Sequence, residues 1–137
     1  MNGEQSELAR AAIEARGNAY APYSEYKVGA AAEDEKGRIF TGSNIENVSY
    51  GATMCAERVA VFKLVSEGGK SVARLAVAME NGGTPCGLCL QVMQEFAPNP
   101  EQLEIVCVSS EGVLNRYTLK QLLPHAFELP SDERKGH

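Results

Sequence analysis

Cys55-Ala56-Glu57-Arg58, answered further along by Thr84-Pro85-Cys86-Gly87-Leu88-Cys89, organises the reading of this chain. Three cysteines can give a zinc ion three thiolates, and where no fourth protein ligand arrives the open position admits water or substrate. Such a centre is catalytic rather than structural. A glutamate two residues after the first cysteine stands about 200° around a helix from it, so it cannot join that cysteine as a ligand. It can reach a bound water or substrate from a neighbouring direction and carry protons for it.

Both stretches read as helix beginnings. Thr53 is a candidate cap for a helix over 54–67 that Gly68-Gly69 stops, with apolar residues on more than one side, as expected of a buried central helix. Thr84-Pro85 sets a cap and a first-position proline, which puts Cys86 in the first turn and Cys89 three residues on over the same face. Helix N-termini favour anions through free N–H groups and the dipole, so two of them can hold three thiolates beside one metal.

Working outward, strands flank these helices. The small residues of Tyr26-Lys27-Val28-Gly29-Ala30-Ala31-Ala32 predict a strand crowded by packed helices or closely approached by a ligand. Gly37 turns a hairpin into 38–42, and the polar segment 43–54 predicts a functional surface loop. Residues 72–79 and 103–108 are apolar strands, 113–118 is one more, and 119–123 is a brief helix before Pro124. At the start, 6–19 keeps helical spacing with Ser6 as cap. Strands alternating with helices predict an α/β domain over 1–130 with helices on both faces of a mixed sheet, followed by a charged tail, 131–137.

The 137 residues suit one domain, and a formal charge of −5 argues against a nucleic-acid partner, whose phosphates require a basic stripe. The first twenty residues show no basic start with an apolar run, and no stretch is long and apolar enough to span a bilayer, which predicts a soluble, cytoplasmic protein with no membrane partner. Reduced thiols follow from that compartment.

Alternatives stay open on the residues alone. Cys86-x-x-Cys89 also describes redox dithiols and structural zinc knuckles, and His125 or Cys107 would make the site structural if either closed the metal shell. Mid-strand Cys107 reads as a small buried hydrophobe. Three thiolates leave a divalent ion with net negative charge, and Arg58 donating to sulfur would restore its acidity.

Together Asn44-x-Glu46, Cys55-Ala56-Glu57-Arg58 and Pro85-Cys86-Gly87-x-Cys89 resemble the small, homotetrameric, three-cysteine class of cytidine deaminases. Ala21-Pro22-Tyr23-Ser24 and Leu122-Leu123-Pro124 before Ala126-Phe127 extend the similarity over nearly the whole chain. The resemblance implies a three-layer α/β/α fold with a five-stranded mixed sheet, and one zinc per subunit on Cys55, Cys86 and Cys89. Zinc deaminases as a class use a non-ligand glutamate for proton transfer, which falls on Glu57. The implied reaction converts cytidine and 2′-deoxycytidine to uridine and 2′-deoxyuridine with loss of ammonia, in pyrimidine salvage. Another cytosine nucleoside, such as a blasticidin-type antibiotic, is the alternative substrate.

By the same resemblance Asn44 and Glu46 match positions that hold ribose hydroxyls, and backbone groups around Ala56 read the pyrimidine edge. Tyr26 falls where the family usually has a phenylalanine near the nucleoside. Tyr50 and Phe127 match residues that reach a neighbouring subunit's site, which implies shared active sites in a homotetramer. Leu90 stands where many relatives carry an arginine, leaving Arg58 to supply positive charge beside the thiolates.

Overall fold

Residues 3–130 are described by the computed structural model. The charged tail expected over 131–137 lies outside the described residues. The chain runs α1 (Gly3–Ala15), β1 (Gly29–Asp34), β2 (Ile39–Ser43), α2 (Ala56–Ser66), β3 (Val72–Ala78), α3 (Gly87–Glu95), β4 (Glu104–Val108), β5 (Leu114–Thr118) and α4 (Leu119–Leu122), with single 3-10 turns at Arg16–Asn18 and Tyr50–Ala52. The strands form one five-stranded sheet in the order β2-β1-β3-β4-β5. Within this sheet β3 and β4 pair in parallel and the other neighbours antiparallel, so the sheet is mixed as expected.

Alternation along each strand sends its side chains to two cores. Ala30, Ala32, Leu75, Val77, Ile105 and Cys107 face one way, joining Ala60, Val61 and Leu64 of α2 and Cys89, Leu90 and Met93 of α3. Ala31, Ala76, Val106 and Val108 face the other, against Leu8, Ala9 and Ala12 of α1. Covered on both faces, β3 and β4 read as nearly unbroken apolar runs. Cutting fully buried Leu64, Leu75 or Ile105 to alanine would cost about 2–5 kcal/mol each.

The small residues of β1 and β2 answer to helix proximity. A Cβ on Gly29 would lie 2.1 Å from the Ala12 carbonyl oxygen of α1, and one on Gly42 would lie 2.5 Å from the Ala56 carbonyl oxygen of α2. The helices therefore rest directly on the strand backbones. That contact fixes how far α2, and the cysteine that precedes it, stands above the sheet.

Several boundaries differ from the sequence reading, each for a local reason. α1 starts at Gly3, so Ser6 lies within it and is no cap. β1 starts at Gly29 rather than Tyr26 because the Asn44 side chain takes over the backbone there: its Nδ2 donates to the Tyr26 carbonyl at 2.9 Å and its Oδ1 accepts from the Val28 N–H at 2.9 Å. Neither Thr53 nor Thr84 caps a helix. Thr53 Oγ1 instead accepts from the Asn47 N–H at 3.1 Å, and the N-caps of α2 and α3 are Cys55 and Cys86 themselves. α4 does carry a complete capping box between Thr118 and Gln121. Among the described residues no helix is long and apolar enough to cross a membrane.

Candidate metal centre and active site

β1 pairs Gly29 with Ser43 of β2 and with Ala78 of β3, so Val28, Asn44 and Met79 lie level at one end of the sheet. The chain leaves β3 there, turns through 79–85 and enters α3. α2 begins at the same end, bringing two helix N-termini together where β3 finishes. This is the carboxyl end of the parallel pair, where α/β sheets habitually hold ligands.

Cys55 and Cys86 each occupy an N-cap with no side-chain cap bond, which leaves both sulfurs directed to one another. Cys55 Sγ and Cys86 Sγ are 4.0 Å apart, Cys86 Sγ and Cys89 Sγ 3.5 Å, and all three lie within 4.8 Å of one another. A tetrahedral zinc with Zn–S bonds of about 2.3 Å spaces its sulfurs by about 3.8 Å, so this trio has the dimensions of a zinc thiolate site. Among the described residues no fourth His, Cys, Asp or Glu belongs to the group. All four cysteines are free of disulfides. Exposed His125 lines a separate polar cavity of about 680 Å³ with Lys120, Asn99 and Glu101 that contains none of the three sulfurs. Cys107 is fully buried in β4, and burial, helped by the nearby Glu57 charge, pushes its thiol up to about 11.

Glu57 is 4% exposed and lies in the first turn of α2. Burial pushes its carboxyl up to about 7, with the Cys55 charge adding to the rise, while backbone N–H groups and Arg58 oppose it. The thiols divide in opposite directions. A hydrogen bond from Cys89 draws Cys55 well below the ordinary thiol range, with Arg58 and Cys86 assisting, and the same bond, reinforced by burial, holds the Cys89 proton in place. Without a cation Cys89 therefore keeps a proton that a divalent metal would displace. Arg58, one turn on from Cys55, donates from Nη2 to Cys55 Sγ at 3.4 Å. Leu90 is 6% exposed and packs in the core with Val61 and Met93.

Two adjoining cavities meet at Thr53 and Cys55. The inner, about 230 Å³, is lined by Cys55, Cys86, Glu57, Ala56, Asn44 and Tyr26, with Val28, Met79 and Thr84 closing it. The outer, about 610 Å³, is lined by Glu46, Tyr50, Arg58, Tyr23, Val48 and Leu88 among others. The outer cavity falls in the size range of small-molecule sites, roughly 300–1,000 Å³, and the inner one extends it toward the sulfurs. Ala56 is fully buried at the helix start, where N–H groups lack intrahelical partners.

Asn44 and Glu46 are partly engaged already. Asn44 braces Tyr26 and Val28 as described, and Glu46 accepts from the Ser24 hydroxyl and from the N–H groups of Tyr23 at 2.9 Å and Ser24 at 3.1 Å. The Ser24 hydroxyl bond, with those N–H groups, holds the Glu46 carboxyl below its usual range. A carboxylate offers about four acceptor positions and a primary amide two donors and two acceptors, so each retains capacity for a ligand hydroxyl. Tyr50 is 93% exposed at the outer cavity. Phe127 belongs to neither cavity: the residue is 73% exposed, while Gln91 of α3 grips its backbone, Nε2 donating to the Phe127 carbonyl at 2.9 Å and Oε1 accepting its N–H at 3.3 Å. The grip by Gln91 and the wall residues Val28, Met79 and Thr84 carry no sequence signal. They are set by what folds beside them.

A thiolate trio open on one side, beside a buried carboxylate whose proton affinity is near neutrality, defines a zinc-dependent hydrolytic enzyme. The family model for the cytidine and deoxycytidylate deaminase zinc-binding region matches residues 2–103. Cytidine deaminase of Halalkalibacterium halodurans is 43% identical over 122 residues, covering 88% of this chain and 91% of the relative. Cytidine deaminase of Mycobacterium tuberculosis is 40% identical over 128 residues, covering 90% of this chain and 91% of the relative. The crystal structure of cytidine deaminase from Burkholderia pseudomallei superposes with a TM-score of 0.84 at 43% identity, covering 93% of this chain and 100% of that one. The chain belongs to the zinc-dependent cytidine deaminase family.

Proposed function

We propose that this protein hydrolyses the exocyclic amine of cytidine and 2′-deoxycytidine, releasing ammonia and the corresponding uracil nucleoside, in pyrimidine salvage in the cytoplasm, and that residues 1–130 carry the whole activity. The observation that carries the reading is the convergence of three sulfurs at tetrahedral spacing, those of Cys55 and Cys86 belonging to residues that line a cavity with buried Glu57. Cys55, Cys86 and Cys89 hold the zinc. Bound there, it supplies the Lewis acid that makes water nucleophilic at neutral pH.

The remaining chemistry belongs to the protein. With its carboxyl near 7, Glu57 can carry both protons of the attacking water in turn, the first to N3 of the pyrimidine and the second, from the new C4 hydroxyl, to the departing amine. The C4–N bond breaks, a C4 carbonyl forms, and one water is consumed for each ammonia released. Arg58, donating to Cys55 Sγ, drains charge from the thiolates and keeps the centre electrophilic. Groups around Ala56 read the pyrimidine edge, Tyr26 lies against the nucleoside, and Asn44 and Glu46 use their spare capacity on the sugar hydroxyls.

Exposed Tyr50, Val48 and Leu88 at the outer cavity, with Phe127 presented on a held backbone, form the apolar surface expected of a buried assembly interface. The working form is accordingly a homotetramer in which Tyr50 and Phe127 complete a neighbour's site. The test is ultraviolet loss of cytidine and of deoxycytidine by purified protein, with and without a zinc chelator, with a blasticidin-type nucleoside as comparison. Turnover of the first two that stops on chelation supports the reading. A zinc-loaded protein inert toward both overturns it.

A further inference from the structure

Between the inner cavity and the loop that delivers Cys86 lies a side-chain bridge spanning 55 residues of sequence. Tyr26 Oη donates to Asn81 Oδ1 at 2.7 Å and accepts, at 3.4 Å, from the backbone N–H of the same residue. Asn81 Oδ1 also accepts from the Gly83 N–H at 3.0 Å. The phenol thus meets both ends of one loop residue, and that residue's amide holds the next turn of the loop.

The two sides differ in rigidity. Tyr26 is anchored at its own backbone, its N–H bonded to Ser24 Oγ at 3.0 Å and its carbonyl to Asn44 Nδ2 at 2.9 Å. Glu25 before it is the one non-glycine residue at positive φ, 60°, among those described, a conformation that persists only where surroundings over-determine it. The 80–84 loop is bonded on its outer side, through Gly82 N–H to the Met79 carbonyl at 3.1 Å and Ser110 N–H to the Glu80 carbonyl at 3.2 Å, with Gly82 at φ +66°. Its tie toward the cavity is Asn81. Met79 and Thr84, on either side of that tie, are walls of the inner cavity, and Cys86 follows two residues later.

We propose that Tyr26 and Asn81 act together as positioning residues: the phenol hydroxyl, through Asn81, fixes the course of the 80–84 loop and so seats both Cys86 and the cavity walls that receive the nucleoside. The ring of Tyr26 and its hydroxyl have separate tasks, one facing the cavity and one holding the loop. This rests on the inner cavity being the nucleoside site, but its metal-retention consequence is read without nucleoside, so failure of either reading shows separately.

The bridge is solvent-accessible, so its removal is expected to leave the fold intact: a neutral hydrogen bond contributes little net stability and its groups are not left buried. Tyr26→Phe, Asn81→Ala and the double variant are loaded with zinc, and transfer of the metal to a chromophoric chelator is timed. Each single variant is expected to release zinc on the order of fivefold faster, within the range seen when groups supporting metal ligands are lost. The double variant is expected to match Asn81→Ala, because that substitution already breaks the bridge, along with the Gly83 bond, and leaves the phenol hydroxyl nothing further to hold. At saturating zinc, Tyr26→Phe is expected to raise KM for cytidine about as much with little change in kcat, the pattern of weakened uniform binding. Wild-type release rates, a double variant whose acceleration is the product of the singles, or a loss confined to kcat would each overturn the proposal. The last would place the hydroxyl on the reacting pyrimidine instead.

Discussion

Replacing Glu57 by glutamine keeps the shape of the residue and removes its titration, which makes two consequences measurable. In metal-free protein the buried carboxyl is pushed from an ordinary 4.5 up to about 7, chiefly by loss of water around it. The folded state then binds a proton more tightly than the unfolded chain. The sign follows: the contribution to stability is fully present below about 4.5, and is lost as pH rises through about 7. At about 1.4 kcal/mol per tenfold change in proton affinity, the interval between those two values amounts to about 3 kcal/mol. The residue is 4% exposed, so solvent screening reduces this little.

Cys55 works against this trend in the wild-type protein, since its depressed thiol adds stability as pH rises. The informative quantity is therefore the difference between wild type and Glu57→Gln. Urea-unfolding free energies of both, in chelator and reductant, would be compared from pH 4.5 to 8. Glutamine should become the relatively more stable protein by up to about 3 kcal/mol at the alkaline end. In the zinc-loaded enzyme the same substitution should leave one metal per chain and lower kcat by about 10²- to 10⁴-fold, the usual weight of a proton-transfer group. A flat difference curve together with turnover within tenfold of wild type would refute the assignment of Glu57 as a buried proton carrier.

Arg58→Ala should lower kcat/KM by about 10- to 100-fold, since the guanidinium is the cation donating to Cys55 Sγ; an unchanged rate and pH–rate profile would refute its part in tuning the centre. Phe127→Ala should be nearly inactive alone, and mixing it with Glu57→Gln under conditions of subunit exchange should restore about a quarter of the wild-type activity, because random pairing completes that share of shared sites. Activity that stays absent on mixing would refute the sharing. Gly42→Ala should destabilise the protein by about 3 kcal/mol, because the added methyl meets the Ala56 carbonyl at 2.5 Å and must lift α2 off the sheet. An unfolding midpoint equal to wild type would show that α2 has room to move.

Much of this was legible along the chain. The alternation of strands and helices, the two apolar runs of β3 and β4, and the small residues of β1 are imposed by burial on both sheet faces, which writes itself into residue size and polarity. The motifs around Cys55 and Cys86 announced a metal because their chemistry is carried by residue type. Cap identity is not legible for a related reason: threonine before each helix fits a propensity rule, while Cys55 and Cys86 occupy the N-cap positions and their sulfurs make no cap bond.

What sequence alone determined was therefore the α/β class and the chemical character of the site, since hydrophobic period and ligand type are local properties. Tertiary structure decided the rest. It set the sulfur spacing, the burial that pushes Glu57 up to about 7, and the diversion of Asn44 and Glu46 into holding the 23–28 segment. It also joined Tyr26 to Asn81 and Gln91 to Phe127. Each of these depends on which distant segments share one end of the sheet, and desolvation and hydrogen-bond geometry exist only once those segments have met.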